Sequence, residues 1–165
     1  IASGGSATIE EVGLLNYIKT HSEEYTFIDR SIAKNEEEKR QIHAKAILSD
    51  YYLMSTNAFT MDGQLVNIDG NGNRVSALCY GPKHVVIITG MNKLTPSVED
   101  AYKRIRQDAC PPNCVRLGLP TPCSKTGVCG DCMSASSICD LFVTTRMSRY
   151  PDRIHIIMVG EELGY

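Results

Sequence analysis

Residues 66–74, Val66-Asn67-Ile68-Asp69-Gly70-Asn71-Gly72-Asn73-Arg74, bring a carboxylate, three side-chain amides and a guanidinium into nine positions. Glycine and asparagine tolerate positive φ, so backbone N–H groups there can converge on an anion. The same composition also builds an ordinary Asx/Gly turn. Three further clusters share this character: Gly4, Gly5 and Ser6 within residues 3–8; Thr56, Asn57 and Thr60 within residues 55–60; and Asn92 with Lys93 after Gly90. Together they suit a small carboxylate or phosphate. Arg74 and Lys93 would supply charge, Gly4, Gly5 and Ser6 donors, and Asp69 a general base or hydroxyl acceptor. Asp69 and Lys93 are therefore the catalytic candidates. The ligand-binding candidates are Gly4, Gly5, Ser6, Thr56, Asn57, Thr60, Asn67, Gly70, Asn71, Gly72, Asn73, Arg74 and Asn92. No Ser/His/Asp or Cys/His catalytic spacing accompanies them.

Six of the seven cysteines lie between Cys110 and Cys139. Cys129 and Cys132 form a C-x2-C knuckle, flanked by Cys123 and Cys139, so four thiolates could hold one zinc ion or an iron–sulfur cluster. The run lacks the C-x2-C-x2-C spacing of ferredoxins and the second knuckle of a zinc ribbon. Reduced packing thiols and oxidised pairs within the loop stand as rival readings.

These residues need elements to position them. Ser6 or Thr8 can cap a helix along which Ile9, Val12, Leu15 and Ile18 recur at near-helical spacing, which would put the Gly4-Gly5 loop at a helix N-terminus. Residues 25–28 read as a short strand and residues 35–50 as a helix capped by Asn35. Extended residues 51–56 precede an Asp62-Gly63 hairpin whose return strand delivers Asp69. Residues 74–80 read as a short helix ended by Gly81-Pro82. The β-branched run of residues 84–90 is a strand buried on both faces, and a helix follows from the Thr95-Pro96-Ser97 cap to about Ala109. Residues 141–145 and 153–159 are further strands. This alternation predicts an α/β fold, a mainly parallel sheet with flanking helices and an inserted β-hairpin, as one domain. Ligands of such sheets bind beyond the carboxyl ends of the strands. All four polar clusters fall there once a strand is placed before Gly4, so an N-terminal segment is expected ahead of Ile1.

Composition narrows the function. A net charge of −2 gives no basic footprint for nucleic acid or an anionic membrane. No apolar run reaches the roughly 20 residues of a membrane span, and no signal-peptide pattern is visible. An odd cysteine count without secretory context predicts reduced thiols and a cytoplasmic location.

Taken together, the residues resemble the LUD (lactate-utilisation) domain family in its short single-domain form. The resemblance runs through Gly4-Gly5-Ser6-Ala7-Thr8, Thr56-Asn57-Ala58-Phe59-Thr60, residues 63–73, Gly81-Pro82-Lys83, Gly90-Met91-Asn92-Lys93, the cysteine segment 121–139 and Glu161-Glu162-Leu163-Gly164-Tyr165. It implies a NagB/ribose-5-phosphate isomerase/CoA-transferase-like fold with its site at the strand ends. It also implies a role in oxidising lactate or another organic acid, with other lactate-utilisation proteins, iron–sulfur proteins among them, as partners. The long ferredoxin-like extension of iron–sulfur members is missing from this sequence. Two alternatives stay open: a Cys-ligated metal or iron–sulfur electron-transfer module, and a sugar-phosphate isomerase-like enzyme suggested by fold class.

Overall fold

The structure, a computed structural model, describes residues 1–165. In chain order the elements are β1 (Ala2–Ser3), α1 (Ala7–Glu11), α2 (Leu14–Thr20), α3 (Glu36–Ile47), β2 (Tyr51–Met54), β3 (Ala58–Thr60), β4 (Leu65–Asp69), α4 (Asn73–Cys79), β5 (His84–Gly90), β6 (Leu94–Thr95), α5 (Val98–Arg104), α6 (Cys110–Arg116), α7 (Pro122–Thr126), β7 (Leu141–Thr145) and β8 (Ile154–Val159). Short 3-10 turns occupy Arg30–Ile32 and Met91–Lys93, and a π-helical turn, Ile105–Ala109, joins α5 to α6. No helix is long and apolar enough to cross a membrane.

The chain divides into two compact units. The first comprises Ile1–Ser55, Asn73–Gly90 and Ser148–Gly164. Its sheet, β1-β2-β5-β8, is parallel throughout, with Leu53 beside Val86 and Val86 beside His155. Burial explains the β-branched β5: Val85 and Ile87 are fully buried, alongside Ile9 of α1, Met54 of β2 and Leu78 of α4. Arg153 ties the start of β8 to the end of α4 by donating to the carbonyls of Ala77, Leu78 and Pro82.

The second unit comprises Thr56–Gly72, Met91–Met147 and Tyr165. Its sheet runs β6-β3-β4-β7, antiparallel except for the β3–β6 pair. The Asp62-Gly63 hairpin thus forms the centre of a second sheet. Gly63 takes φ +86°, and Thr60 binds the Asp62 carboxylate inside the turn. Ala58, Val66 and Ile68 pack with Ala101, Ile105, Ala109 and Cys110 as this unit's core.

Three expectations need correction. Residues 25–28 form no strand; a single bridge from Ile28 to Ala2 is all that pairs there. The first helix breaks at Gly13, which adopts φ +72° and separates α1 from α2. The helix from Ser97 does not end at Ala109. Pro111 and Pro112 lack the N–H groups that a regular helix would use, and the wider π-helical turn before them lets the chain restart as α6 with its prolines in the first turn.

Candidate functional site

In the first unit, the loop leaving β1 is Gly4-Gly5-Ser6. The Gly4 N–H bonds the Leu53 carbonyl at 2.9 Å, which extends the β1–β2 pairing by one residue. Ser6 then caps α1, its hydroxyl accepting from the Ile9 N–H at 3.4 Å. Two arginines lie against these glycines. A Cβ on Gly4 would sit 3.3 Å from Arg74 Cγ and from the Tyr52 hydroxyl. One on Gly5 would collide with Arg30 Nη2 at 2.2 Å. The absence of side chains is what admits the Arg30 guanidinium to the loop backbone. Arg74 crosses Gly4 with its aliphatic stem and donates from Nη1 to the Ser55 carbonyl at 3.3 Å, beyond the end of β2.

Arg30 is held from behind. Asp29 caps the 3-10 turn by accepting from the Ser31 N–H at 2.9 Å and its hydroxyl at 2.7 Å, and its other oxygen pairs with Lys19 at 2.8 Å. The Lys19 ammonium, with Ser31 adding to it, holds the Asp29 carboxyl down at about 2. No local signal in the sequence pointed to Arg30; it reaches Gly5 from 25 positions away.

In the second unit, the polar residues are engaged with the fold. Asn67 is fully buried and accepts from the Asn57 N–H through Oδ1 at 3.2 Å, while Asn57 Oδ1 accepts from the Ile68 N–H at 3.1 Å. Thr56 donates to the carbonyls of Ala58 and Val66, and Thr60 serves the hairpin turn. Asp69 Oδ1 accepts from the N–H groups of Asn71 at 3.2 Å and Gly72 at 2.8 Å, an Asx-type turn. Gly70 lets Ile138 approach closely, and the Asp140 N–H bonds the Asp69 carbonyl at 3.2 Å. The segment before β7 therefore lies directly on the Asp69 turn.

Arg104, on α5, joins two of the clusters. It donates to the Asn57 carbonyl at 2.7 Å and the Asn92 carbonyl at 3.1 Å, and burial pushes its guanidinium below the ordinary value. Lys93, beside Asn92, is 3% exposed. The expected clusters thus divide between the units: Gly4, Gly5, Ser6, Asn73 and Arg74 in the first, and Thr56, Asn57, Thr60, Asn67, Asp69, Gly70, Asn71, Gly72, Asn92 and Lys93 in the second.

The thiols proposed as metal ligands, Cys123, Cys129, Cys132 and Cys139, do not assemble. No group of three or more His, Cys, Asp or Glu side chains is placed to hold a metal ion. Cys123 is fixed in the first turn of α7 beneath the Thr121 cap, its sulfur 3.3 Å from the Thr121 hydroxyl. Cys129 and Cys132 follow in irregular chain. Cys139 instead meets Cys110, sulfur to sulfur at 3.4 Å. The hydrogen bond with Cys110 draws the Cys139 thiol down to about 7, with Arg106 adding to the effect, whereas the same bond and burial push Cys110 up. Burial raises Cys114 to about 11.

The architecture is that of an α/β protein with a parallel sheet whose carboxyl edge opens into a glycine loop flanked by arginines. The chain belongs to the LUD domain family, whose pattern matches residues 1–159 of the 165. No curated protein and no solved structure matched it.

Proposed function

We propose that this LUD-domain protein binds a small carboxylate or phosphate at the Gly4-Gly5-Ser6 loop, as part of lactate or other organic-acid utilisation alongside other proteins of that pathway. One observation carries the reading. Two guanidinium-bearing side chains, Arg30 and Arg74, lie against adjacent glycines at the carboxyl end of a parallel strand. That edge is where open α/β sheets bind ligands, and guanidinium forks match carboxylate and phosphate geometry.

Thermal shift and calorimetry with lactate, pyruvate, inorganic phosphate and ribose 5-phosphate test this. A ligand at 100 times its Kd stabilises the native chain by about 2.7 kcal/mol. At least one of these anions should raise the Tm of the wild-type chain, and Arg30→Ala and Arg74→Ala should reduce that rise. No shift with any of the four, or equal shifts in both variants, would reject the site. A response to ribose 5-phosphate alone would favour the isomerase-like reading over the organic-acid one.

A further inference from the structure

Of the cysteines in residues 110–139, Cys110 and Cys139 bring their sulfurs together from opposite ends of the segment. Cys110 opens α6 within the core of the second unit, and Cys139 lies just before β7 with its sulfur 3.4 Å from that of Cys110. Both are reduced; Cys110 is buried and Cys139 is partly open to solvent. Arg106, in the π-helical turn before Cys110, pairs with Asp131 and lies beside Cys129 and Cys139. One sulfur is thus reachable beside a cation and the other waits behind it, the arrangement of an attacking and a resolving thiol.

We infer that Cys110 and Cys139 are a reversible dithiol–disulfide pair that accepts oxidising equivalents from a small-molecule disulfide, and that the bond clamps the Asp69 turn. In the first step the Cys139 thiolate attacks one sulfur of the disulfide, forming a mixed disulfide and releasing one thiolate. In the second, Cys110 attacks the Cys139 sulfur. The Cys139–Cys110 bond forms, the second small thiolate leaves, and the Cys110 proton goes to it. Two protein thiols are oxidised and one small disulfide is reduced to two thiols. Bonding requires the sulfurs to close from 3.4 Å to about 2 Å.

The consequence follows from the neighbours of Cys139. Ile138 packs on Gly70 and the Asp140 N–H bonds the Asp69 carbonyl, so a covalent tie from Cys139 to α6 fixes both residues that touch the Asp69 turn. This inference is independent of anion binding at the first unit.

The test equilibrates the full chain in reduced and oxidised glutathione, alkylates the remaining thiols and maps the peptides. The expected result is a Cys110–Cys139 crosslink with the other cysteines alkylated. Amide exchange across residues 66–74 should slow on oxidation and recover with dithiothreitol. Cys110→Ser should retain glutathione on Cys139, because nothing resolves the mixed disulfide. The wild-type map decides the pairing even if that variant fails to fold. A crosslink between Cys129 and Cys132, or between Cys114 and Cys123, with Cys110 and Cys139 alkylated would overturn the assignment. So would a co-purified metal whose removal is needed before Cys110 and Cys139 react. Unchanged exchange across residues 66–74 in the crosslinked chain would overturn the clamp.

Discussion

The loop Gly4-Gly5-Ser6 and the turn Asp69-Gly70-Asn71-Gly72 are made from similar residues and use them differently. In the turn, the carboxylate of Asp69 faces its own backbone and the glycines admit neighbouring chain, Ile138 at Gly70 and Leu141 at Gly72. In the loop, the glycines admit cationic side chains, Arg30 and Arg74. Glycine in both places makes room, and what fills the room decides between a packed turn and a charged one. Amide-rich sequence thus marks close approach, and only the approaching group tells whether that approach serves folding or recognition.

The sharpest way to break this contrast is to treat the amides of the second unit as ligands. Asn67 is fully buried and holds the Asn57 backbone. Asn67→Ala should therefore destabilise the chain by about 2–3 kcal/mol, since a buried donor loses its acceptor. Urea denaturation at constant m-value measures this. A variant of unchanged stability that has lost anion affinity would place Asn67 with the ligand instead.

The converse holds for Arg30, which is exposed. Arg30→Ala should weaken the anion that the wild type binds about tenfold, near 1.4 kcal/mol, while stability moves by no more than about 0.5 kcal/mol. A large stability loss with unchanged affinity would make the guanidinium a structural prop.

Asp29 links the two properties, because its cap holds the turn that presents Arg30. Its carboxyl is held at about 2, below the ordinary value of 3.8. The stabilisation is therefore complete above pH 4 and disappears as pH falls through 2. Full linkage would give about 2.4 kcal/mol, but Lys19 is half exposed, and solvent screening reduces this to about 1 kcal/mol. Unfolding free energies of wild type and Asp29→Asn from urea titrations should differ by that amount at pH 6 and converge between pH 4 and pH 2. A difference that persists at pH 2 would mean the cap acts without its charge.

Local signals made much of this fold legible. Asn35 caps the helix it was expected to cap, Ser97 takes the cap that Thr95 or Ser97 could have made, Asp62-Gly63 makes the hairpin, and the β-branched run of β5 lies in a parallel sheet. Each is written within a few residues. The site was only partly legible, because its decisive contacts span long separations. Arg30 reaches Gly5, Arg104 reaches Asn57, and Cys139 finds Cys110 across 29 residues. The C-x2-C spacing drew attention to Cys129 and Cys132, and no motif announced that Cys139 would also meet Cys110.

Gly5→Ala is the smallest perturbation and isolates the close approach itself. The added methyl would lie 2.2 Å from Arg30 Nη2, the far end of a flexible side chain, so the guanidinium should withdraw while the backbone stays. Affinity should fall about threefold, roughly 0.6 kcal/mol, less than when Arg30 is removed outright. The decisive measurement is the double-mutant cycle. With Arg30 already replaced by alanine there is nothing left to displace, and Gly5→Ala should then leave affinity unchanged. If the threefold loss persists in the Arg30→Ala background, the glycine acts through its own backbone, and the loop would recognise the anion without the guanidinium it makes room for.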